Sequence, residues 1–202
     1  MPTSVIIVDD FLQDPHVVRE AALKLTYPVQ DAMFAGRNSS ERLAISGLAE
    51  QVSKLVGENI VPIEPLQSHA KCRITLAEDR GRSRVHVDRS HWSGILYLSR
   101  MPDCIGGTEF YRHRRTGIDR WPINREELAA IGVNTVEDVR REIAEKDGND
   151  PEKWEQTMQV PMRFNRLLLL RPWLWHTAGP GFGANMDTGR LVYLMFFAAS
   201  SV

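Results

Sequence analysis

The chain has 202 residues, of which 43% are hydrophobic, and a formal net charge of −1. This length suits one domain with a sizeable core, so we expect a single domain over residues 1–202. Because 25 basic residues nearly balance 26 acidic ones, the charge provides no field for nucleic acid or an anionic membrane, and we expect neither as an obligatory partner.

Cysteine usage and the N-terminal sequence bear on the compartment. Two cysteines, Cys72 and Cys104, provide neither a disulfide framework nor a short metal-ligand spacing. Residues 1–10 lack the basic region and the long apolar region of a signal peptide. Since no apolar run is long enough to span a bilayer, we expect a cytoplasmic protein.

The first 60 residues predict a strand followed by two helices. Residues 4–8 are typical of a buried strand. Asp14 can cap a helix that begins at Pro15, and Ser39 or Ser40 can cap a second one. Both helices have apolar residues at helical spacing, which suits them to cover one side of a sheet.

The remainder reads as short strands separated by turn signals, which indicates an antiparallel sandwich or barrel. The continuous leucine run near residue 168 is typical of a strand that is covered on both faces. The predicted strands are residues 60–63, 70–76, 85–88, 95–98, 108–111, 167–170, 173–178 and 191–198.

A charged segment, residues 112–159, interrupts this series with a helical pattern. Asn134 or Thr135 can cap a helix that runs to about Lys146, and a further short helix is expected around Trp154. We interpret the segment as an insertion that covers a site, forms an interface such as a homodimer face, or only adds packing.

The motif with the clearest chemistry is His86-x-Asp88. On a strand, residues i and i+2 point to the same face, so an imidazole nitrogen and a carboxylate oxygen would converge. These are two of the three ligands of a 2-His-1-carboxylate site for non-haem Fe(II). The alternative is a half-exposed strand with two polar side chains facing water.

Two later residues can complete such a site. His176 is either the third ligand or a hydrogen-bonded core histidine. Arg190 opens a very apolar strand and needs a partner, and its guanidinium matches a carboxylate. If His176 binds the metal, a 2-oxo dicarboxylate could bridge the metal and Arg190.

With these residues the chain resembles the 2-oxoglutarate- and Fe(II)-dependent dioxygenase superfamily. Residues 106–110 are similar to the Gly-Gly-rich start of a strand in its prolyl-hydroxylase-like members, and residues 8–12 resemble their N-termini. The resemblance implies a mainly β fold with flanking helices. Its core would be a double-stranded β-helix, the jelly-roll or cupin-like form, with N-terminal helices and a helical insertion added.

The resemblance also implies roles for single residues. His86, Asp88 and His176 would bind Fe(II), Arg190 would hold 2-oxoglutarate, and O2 would be the oxidant. The implied reaction hydroxylates an unactivated C–H bond of a small-molecule or peptide substrate and releases succinate and CO2. Halogenating relatives leave the carboxylate position free for halide, so Asp88 favours hydroxylation.

Several other side chains are candidates for supporting roles. Tyr97 could donate its hydroxyl to 2-oxoglutarate, and Thr188 could assist Arg190, although a structural tyrosine and a turn residue are alternatives. Arg73 and Arg84 could reach an acidic substrate or be solvated. Residues 27–38 and the insertion are expected to shape the entrance. Three tryptophans could wall the pocket or belong to the core: Trp92, Trp173 and Trp175.

The competing hypotheses do without 2-oxoglutarate. One is a non-catalytic jelly-roll binding protein. The other is a cupin-like metal protein that uses His86, His91 and His176, with His113 as a further possible ligand. Arg190 discriminates between the classes, because a cupin-like site needs no buried guanidinium there.

Overall fold

The computed structural model describes residues 3–29 and 33–200, and these residues form a mainly β fold with two antiparallel sheets and a few helices. In chain order the described strands are β1 Val5–Val8, β2 Arg37–Asn38, β3 Ile60–Pro62, β4 Cys72–Thr75, β5 Trp92–Tyr97, β6 Gly107–His113, β7 Trp154–Pro161, β8 Leu167–Leu170, β9 His176–Thr177 and β10 Arg190–Ala199.

The larger sheet has the strand order β1-β8-β5-β10-β4-β2, and β3 pairs with β10 outside this path. All of its strand pairs are antiparallel. The four leucines of β8 are fully buried, as the continuous apolar run predicted. The sheet therefore has a central strand that is covered on both faces.

The smaller sheet has the order β7-β6-β9. An isolated antiparallel bridge between His86 and His176 continues it beyond β9. Residues 85–88 form no further strand, so the prediction of a strand there is wrong. Leu168 and Leu170 of the larger sheet pack against Phe110 and Val160 of the smaller sheet. His86 and His176, which form the bridge, line the cavity described below.

The helices agree with the predictions in part. The described helices are α1 Pro15–Leu23, α2 Leu48–Val56, α3 Arg125–Ala130 and α4 Val136–Val139, which continues as a π-helical segment over Arg140–Glu145, with short 3-10 turns at Met101–Asp103 and Pro151–Lys153. α1 begins at Pro15 as predicted. No helix among the described residues has the length and apolar character that crossing a membrane requires.

The predicted cap of the second helix is wrong. α2 follows Gly47, which has a left-handed φ of 71°. Ser39 is buried instead, where its hydroxyl donates to the carbonyl of Glu41 and accepts from the amide of Cys72 at 3.1 Å. A serine hydroxyl can bind backbone groups equally well at a helix start and in a hydrogen-bonded loop. The sequence therefore did not distinguish the two positions.

The helical insertion is shorter than predicted. Thr135 and Asp138 form the expected capping box at α4. Trp154, however, begins β7, which pairs with β6 over its whole length, so the helix predicted around Trp154 is wrong. Five consecutive residues of this edge strand are exposed. Four of these five residues are polar and only Met158 is apolar, so the segment lacks the alternation that normally identifies a strand.

The two faces of β10 show where the core and the cavity lie. Leu191, Tyr193 and Phe197 point to the main core, which the larger sheet forms with α1 and α2. Leu194 and Phe196 alternate with them and point to the other side, between the sheets. Because side chains alternate along a strand, Arg190 points to the cavity side as well.

Candidate metal centre and its cavity

The structure brings His86, Asp88 and His176 together, with one potential ligand atom of each within 4.8 Å of the others. Asp88 lies between the imidazoles: its Oδ1 is 3.7 Å from His86 Nε2, and its Oδ2 is 3.5 Å from His176 Nε2. Two imidazole nitrogens and one carboxylate, with no thiolate, form a donor set that suits a divalent cation such as Fe(II).

The backbone fixes the spacing of the two histidines. The amide of each donates to the carbonyl of the other at 3.0 Å, so His86 and His176 are directly opposite each other. The amide of Asp88 donates to the carbonyl of Pro172 at 3.0 Å. Although residues 85–88 are no strand, they are extended enough to keep His86 and Asp88 on the cavity side.

Both imidazoles have the same hydrogen-bonding pattern. His86 Nδ1 lies 2.9 Å from the carbonyl oxygen of Arg84, and His176 Nδ1 lies 2.8 Å from that of Leu174. A carbonyl only accepts, so Nδ1 carries the proton and donates in each ring. In the neutral rings, Nε2 therefore keeps its lone pair and faces Asp88.

Electrostatics favour an ionised carboxylate between imidazoles. Burial raises the pKa of Asp88, but the hydrogen bond and charge of His176, the charge of His86 and the Ser93 hydroxyl outweigh it and lower the pKa to about 2. Burial and the charge of His176 lower the pKa of His86 to about 4. Burial opposes protonation of His176, yet Asp88 raises its pKa. A bound cation would take the place of the proton that Asp88 stabilises on His176.

These residues line one cavity of about 1000 Å³ between the two sheets. β4, β5 and β10 of the larger sheet supply one wall, and Glu109 on β6 lies in the other. Met33, Phe34 and Ala35 also line it, so part of the loop that was expected to shape the entrance does so, although residues 30–32 lie outside the described chain.

Arg190 lies in the same cavity and is 2% exposed. Its Nε and Nη2 have no hydrogen-bond partner, and no carboxylate of the described residues lies within 4.0 Å of it. Its Cζ is 5.9 Å from the centre of the Tyr97 ring. Burial lowers the pKa of Arg190, but a guanidinium stays charged in proteins. A buried, unpaired cation is unfavourable, and a bound anion would stabilise it.

The other two residues predicted to bind 2-oxoglutarate lie outside the cavity lining. Tyr97 is fully buried, and its hydroxyl lies 2.8 Å from Thr108 Oγ1 and accepts from the Thr108 amide at 3.2 Å. The Thr188 amide and hydroxyl donate to Asn185 Oδ1 at 3.1 and 3.2 Å, respectively. Tyr97 thus supports Arg190 through its ring alone, and Thr188 forms the turn before β10.

The alternative histidines are elsewhere. His91 Nε2 lies 2.6 Å from Glu58 Oε2, in a cluster with Arg171. His113 is fully buried and contacts Asp147 Oδ2 at 3.0 Å. The cupin-like set of His86, His91 and His176 is therefore not assembled.

The tryptophans do not wall the cavity either. Trp92 is fully buried in the main core, and Trp175 belongs to a second core that the insertion forms. Trp173 lies beside Arg171, whose Cζ is 5.2 Å from the centre of its ring. Their packing role was the alternative that the sequence left open.

The insertion packs against the residues that precede His86 and His176, on the side away from the cavity. Val85 and Trp175, which directly precede His86 and His176, pack in one cluster with Val139 and Ile143 of the insertion. None of the described residues 114–153 lines the cavity, so the expectation that the insertion shapes the entrance is wrong. Val85 and Val87 both contact this cluster, while His86 and Asp88 face the cavity, which Val87 also lines.

Sequence reasoning missed two supporting residues, Ser93 and Phe34, and it assigned Arg73 a different role. Ser93 Oγ donates to Asp88 Oδ2 at 3.0 Å. The Phe34 ring lies 4.2 Å from the ring of His86. Arg73 donates to the carbonyls of Phe34 at 2.5 Å and Ala35 at 2.9 Å, and so holds this loop over the site. The predicted strand of residues 95–98 began too late to include Ser93, which lies on β5, and the other contacts depend on an irregular loop.

The chain matches a known sequence family over nearly its whole length. A family described as being of unknown function, DUF6445, matches residues 2–197 of the chain. The chain belongs to the DUF6445 family. A search of curated proteins finds no match for this DUF6445 member.

Three solved structures are similar to the DUF6445 chain over 98% of its length. They are HygX from Streptomyces hygroscopicus with nickel and 2-oxoglutarate bound (TM-score 0.44, 13% identity, 84% of that chain), a Pseudomonas putida prolyl-4-hydroxylase (0.46, 13%, 94%) and SnoK, a non-heme alpha ketoglutarate dependent carbocyclase from nogalamycin biosynthesis (0.47, 12%, 86%). At these low TM-scores and identities, the roles of residues depend on the geometry of the chain itself.

Proposed function

We propose that this chain is an Fe(II)- and 2-oxoglutarate-dependent oxygenase that hydroxylates an unactivated C–H bond. One observation carries the proposal: His86, Asp88 and His176 converge in the same cavity that holds the buried, unpaired Arg190. The proposal includes the double-stranded β-helix that the sequence resemblance implies, with the two sheets as its two faces.

The three ligand residues would hold the iron on one side and leave its other positions open. When bound, the iron and 2-oxoglutarate supply the oxidation of the substrate by O2, with decarboxylation of 2-oxoglutarate to succinate and CO2. The carbonyls of Arg84 and Leu174 keep both Nε2 atoms available, and Ser93 orients the Asp88 carboxylate. These contacts preorganise the ligands before any metal binds.

Arg190 would bind the distal carboxylate of 2-oxoglutarate. Its two unpartnered atoms, Nε and Nη2, lie on one edge of the guanidinium, which is the edge that binds a carboxylate in a bidentate manner. Because the side chain is buried, water competes little for this ion pair. The Tyr97 ring packs beside the guanidinium and limits its movement.

Asp88 also bears on the type of oxidation. Its carboxylate would take the position that halogenating members of the resembled superfamily leave free for halide, so hydroxylation is the proposed outcome. A 2-oxoglutarate-independent metal protein would leave Arg190 without a function, and no arrangement of the described residues favours that reading.

The test is anaerobic addition of Fe(II) and 2-oxoglutarate to the purified chain. We expect the weak visible charge-transfer band of a metal-chelated 2-oxo acid, and no band in the folded His176→Ala variant. On admission of O2, succinate should form in the wild-type chain. A well-folded chain that binds Fe(II) and still shows no band would contradict the proposed function.

A further inference from the structure

The arginines of the cavity differ from most other arginines of the chain, because none of them has an acidic partner among the described residues. Five arginines line the cavity: Arg73, Arg80, Arg84, Arg89 and Arg190. None of them lies within 4.0 Å of a carboxylate of the described residues. Most arginines elsewhere, such as Arg19, Arg140 and Arg171, form ion pairs. Unpaired positive charge is therefore concentrated at the cavity.

The charge balance of the cavity leaves a surplus after the cofactors bind. Among the described residues, five lining arginines face three lining carboxylates, Asp79, Asp88 and Glu109, which leaves two positive charges. A divalent iron and a 2-oxoglutarate dianion cancel each other. The surplus remains, although the whole chain has a formal net charge of −1. Such a local field attracts an anion.

Two of the five arginines already have functions. Arg190 is assigned to 2-oxoglutarate, and Arg73 holds residues 34–38 through three hydrogen bonds. Arg80 donates to carbonyls of its own turn, those of Ala77 and Asp79. Arg84 and Arg89 are therefore the exposed cations best placed to contact a further ligand.

Arg84 and Arg89 flank the segment that carries the first two metal ligands. Arg84 precedes His86 by two residues, and Arg89 directly follows Asp88. Arg84 Nη2 donates to the Tyr111 hydroxyl at 3.2 Å, and this hydroxyl donates to Glu109. The contact orients Arg84 towards the cavity and leaves its other nitrogens available.

The cavity also has an apolar wall beyond the cations. Ile63, Leu194 and Phe196 line it and are each half-buried, so part of their apolar surface faces the cavity. Its volume of about 1000 Å³ lies at the upper end for small-molecule sites. It leaves room for a second molecule beside 2-oxoglutarate.

We propose that the substrate of the oxygenase is an amphipathic small-molecule anion. A carboxylate or phosphate group binds Arg84 and Arg89, and an apolar chain or ring packs against Ile63, Leu194 and Phe196. This substrate class rests on the proposed function, but binding of the anion needs neither metal nor 2-oxoglutarate. The arginines act as specificity-determining residues and take no part in the oxidation.

The experiment uses metal-free protein and calorimetric titration with four matched probes: 4-phenylbutyrate, 4-phenylbutyl phosphate, 4-phenylbutanamide and 4-phenylbutylamine. We expect the tighter-binding anion to bind about tenfold more tightly than the neutral amide, because charge-assisted hydrogen bonds add to the same apolar contact. The amine should bind more weakly than the amide. The two anions distinguish a carboxylate from a phosphate substrate.

Variants locate the anion subsite. The double variant Arg84→Gln/Arg89→Gln should bind the preferred anion about tenfold more weakly and the amide unchanged. Arg125→Gln, an exposed arginine on α3 that is not part of the cavity lining, is the matched control and should change neither value.

Three results would overturn the proposal. These are no binding of either anion, equal binding of anion and amide, or anion binding that survives the double variant and is lost in Arg190→Gln. The proposed function fails separately: absence of the charge-transfer band with intact anion binding would disprove the oxygenase and leave an anion-binding cavity. A band together with any of the three results would disprove the substrate class alone.

Discussion

Two clusters of histidine and aspartate among the described residues differ in how many polar atoms they leave available. In the insertion, fully buried His113 contacts Thr116 Oγ1 at 2.9 Å and Asp147 Oδ2 at 3.0 Å, so both ring nitrogens have side-chain partners. In the cavity, His86 and His176 each donate through Nδ1 to a backbone carbonyl, and both Nε2 atoms face the shared Asp88 carboxylate, at 3.7 and 3.5 Å. The first cluster holds the fold together, and the second is available for a ligand.

Two buried arginines show the same difference. Arg171 forms an ion pair with Glu58 and stacks over Trp92, with its Cζ 4.0 Å from the ring centre. Arg190 is equally buried but has two nitrogens without a partner. Residue type and burial are therefore poor guides to function, whereas an unsatisfied polar atom in a cavity is a good one.

The largest expected effect concerns metal affinity. Replacing His176 by Ala should weaken Fe(II) or Co(II) binding by roughly 100-fold or more, since a directly coordinating ligand matters at least as much as its outer hydrogen-bond partners. His113→Ala is the matched control and should leave the affinity unchanged. Anaerobic competition with a coloured chelator measures both. Equal affinities in His176→Ala and wild type would remove His176 from the ligand set.

The next effect concerns stability, where the variant in the insertion should have the larger effect and the variant in the cavity the smaller one. His113→Ala should lower the free energy of unfolding by about 2–3 kcal/mol, because it leaves the buried Asp147 carboxylate without its hydrogen bond. In metal-free protein, His86→Ala should change it by less than about 1 kcal/mol. Urea denaturation provides the comparison, and similar losses in both variants would show that the two clusters are equally structural.

The arginine pair predicts a smaller, selective change. Arg190→Gln should weaken 2-oxoglutarate binding to the Fe(II) protein by about tenfold, since it removes one charge-assisted ion pair. It should leave the melting temperature of the ligand-free protein unchanged or raise it, because the variant no longer buries an unpaired cation. Arg171→Gln should lower that temperature instead. A marked loss of stability in Arg190→Gln would assign the side chain to the fold.

The smallest effect concerns pH. Burial lowers the pKa of His113, although Asp147 opposes it, so the unfolded chain binds the proton more readily than the folded one. Its contribution to stability is therefore complete above the ordinary histidine value of about 6.5 and is lost as the pH falls. We expect His113→Gln to show a shallower fall in unfolding free energy than wild type between about pH 7 and 5. An unchanged slope would mean that His113 does not titrate in this range.

The sequence predicted the donors better than the backbone that carries them. A spacing of two residues between His86 and Asp88 was sufficient, because any extended segment gives these side chains a common direction. It did not require the predicted strand, which the structure replaces with a single bridge. Arg190 was recognisable because a charged residue that opens an apolar strand is unusual.

Other features depend on contacts that no local pattern encodes. β7 was misread as helical because its exposed edge position allows polar residues on both faces. Tyr97 lies beside Arg190, as its predicted role requires. The sequence could not show that its hydroxyl is hydrogen-bonded to Thr108. Phe34 reaches His86 from an irregular loop that Arg73 holds, and neither partner lies near the other in sequence.

The tryptophan cluster next to the proposed metal centre has a practical consequence. The Trp175 ring lies 5.2 Å from that of Trp154 and 5.6 Å from that of Trp121, and Trp175 is the immediate neighbour of His176. Intrinsic fluorescence of this cluster is thus an optical reporter next to the centre. A quenching ion such as Cu(II) or Co(II) would dim it on binding, so occupancy can be followed without a label or a substrate.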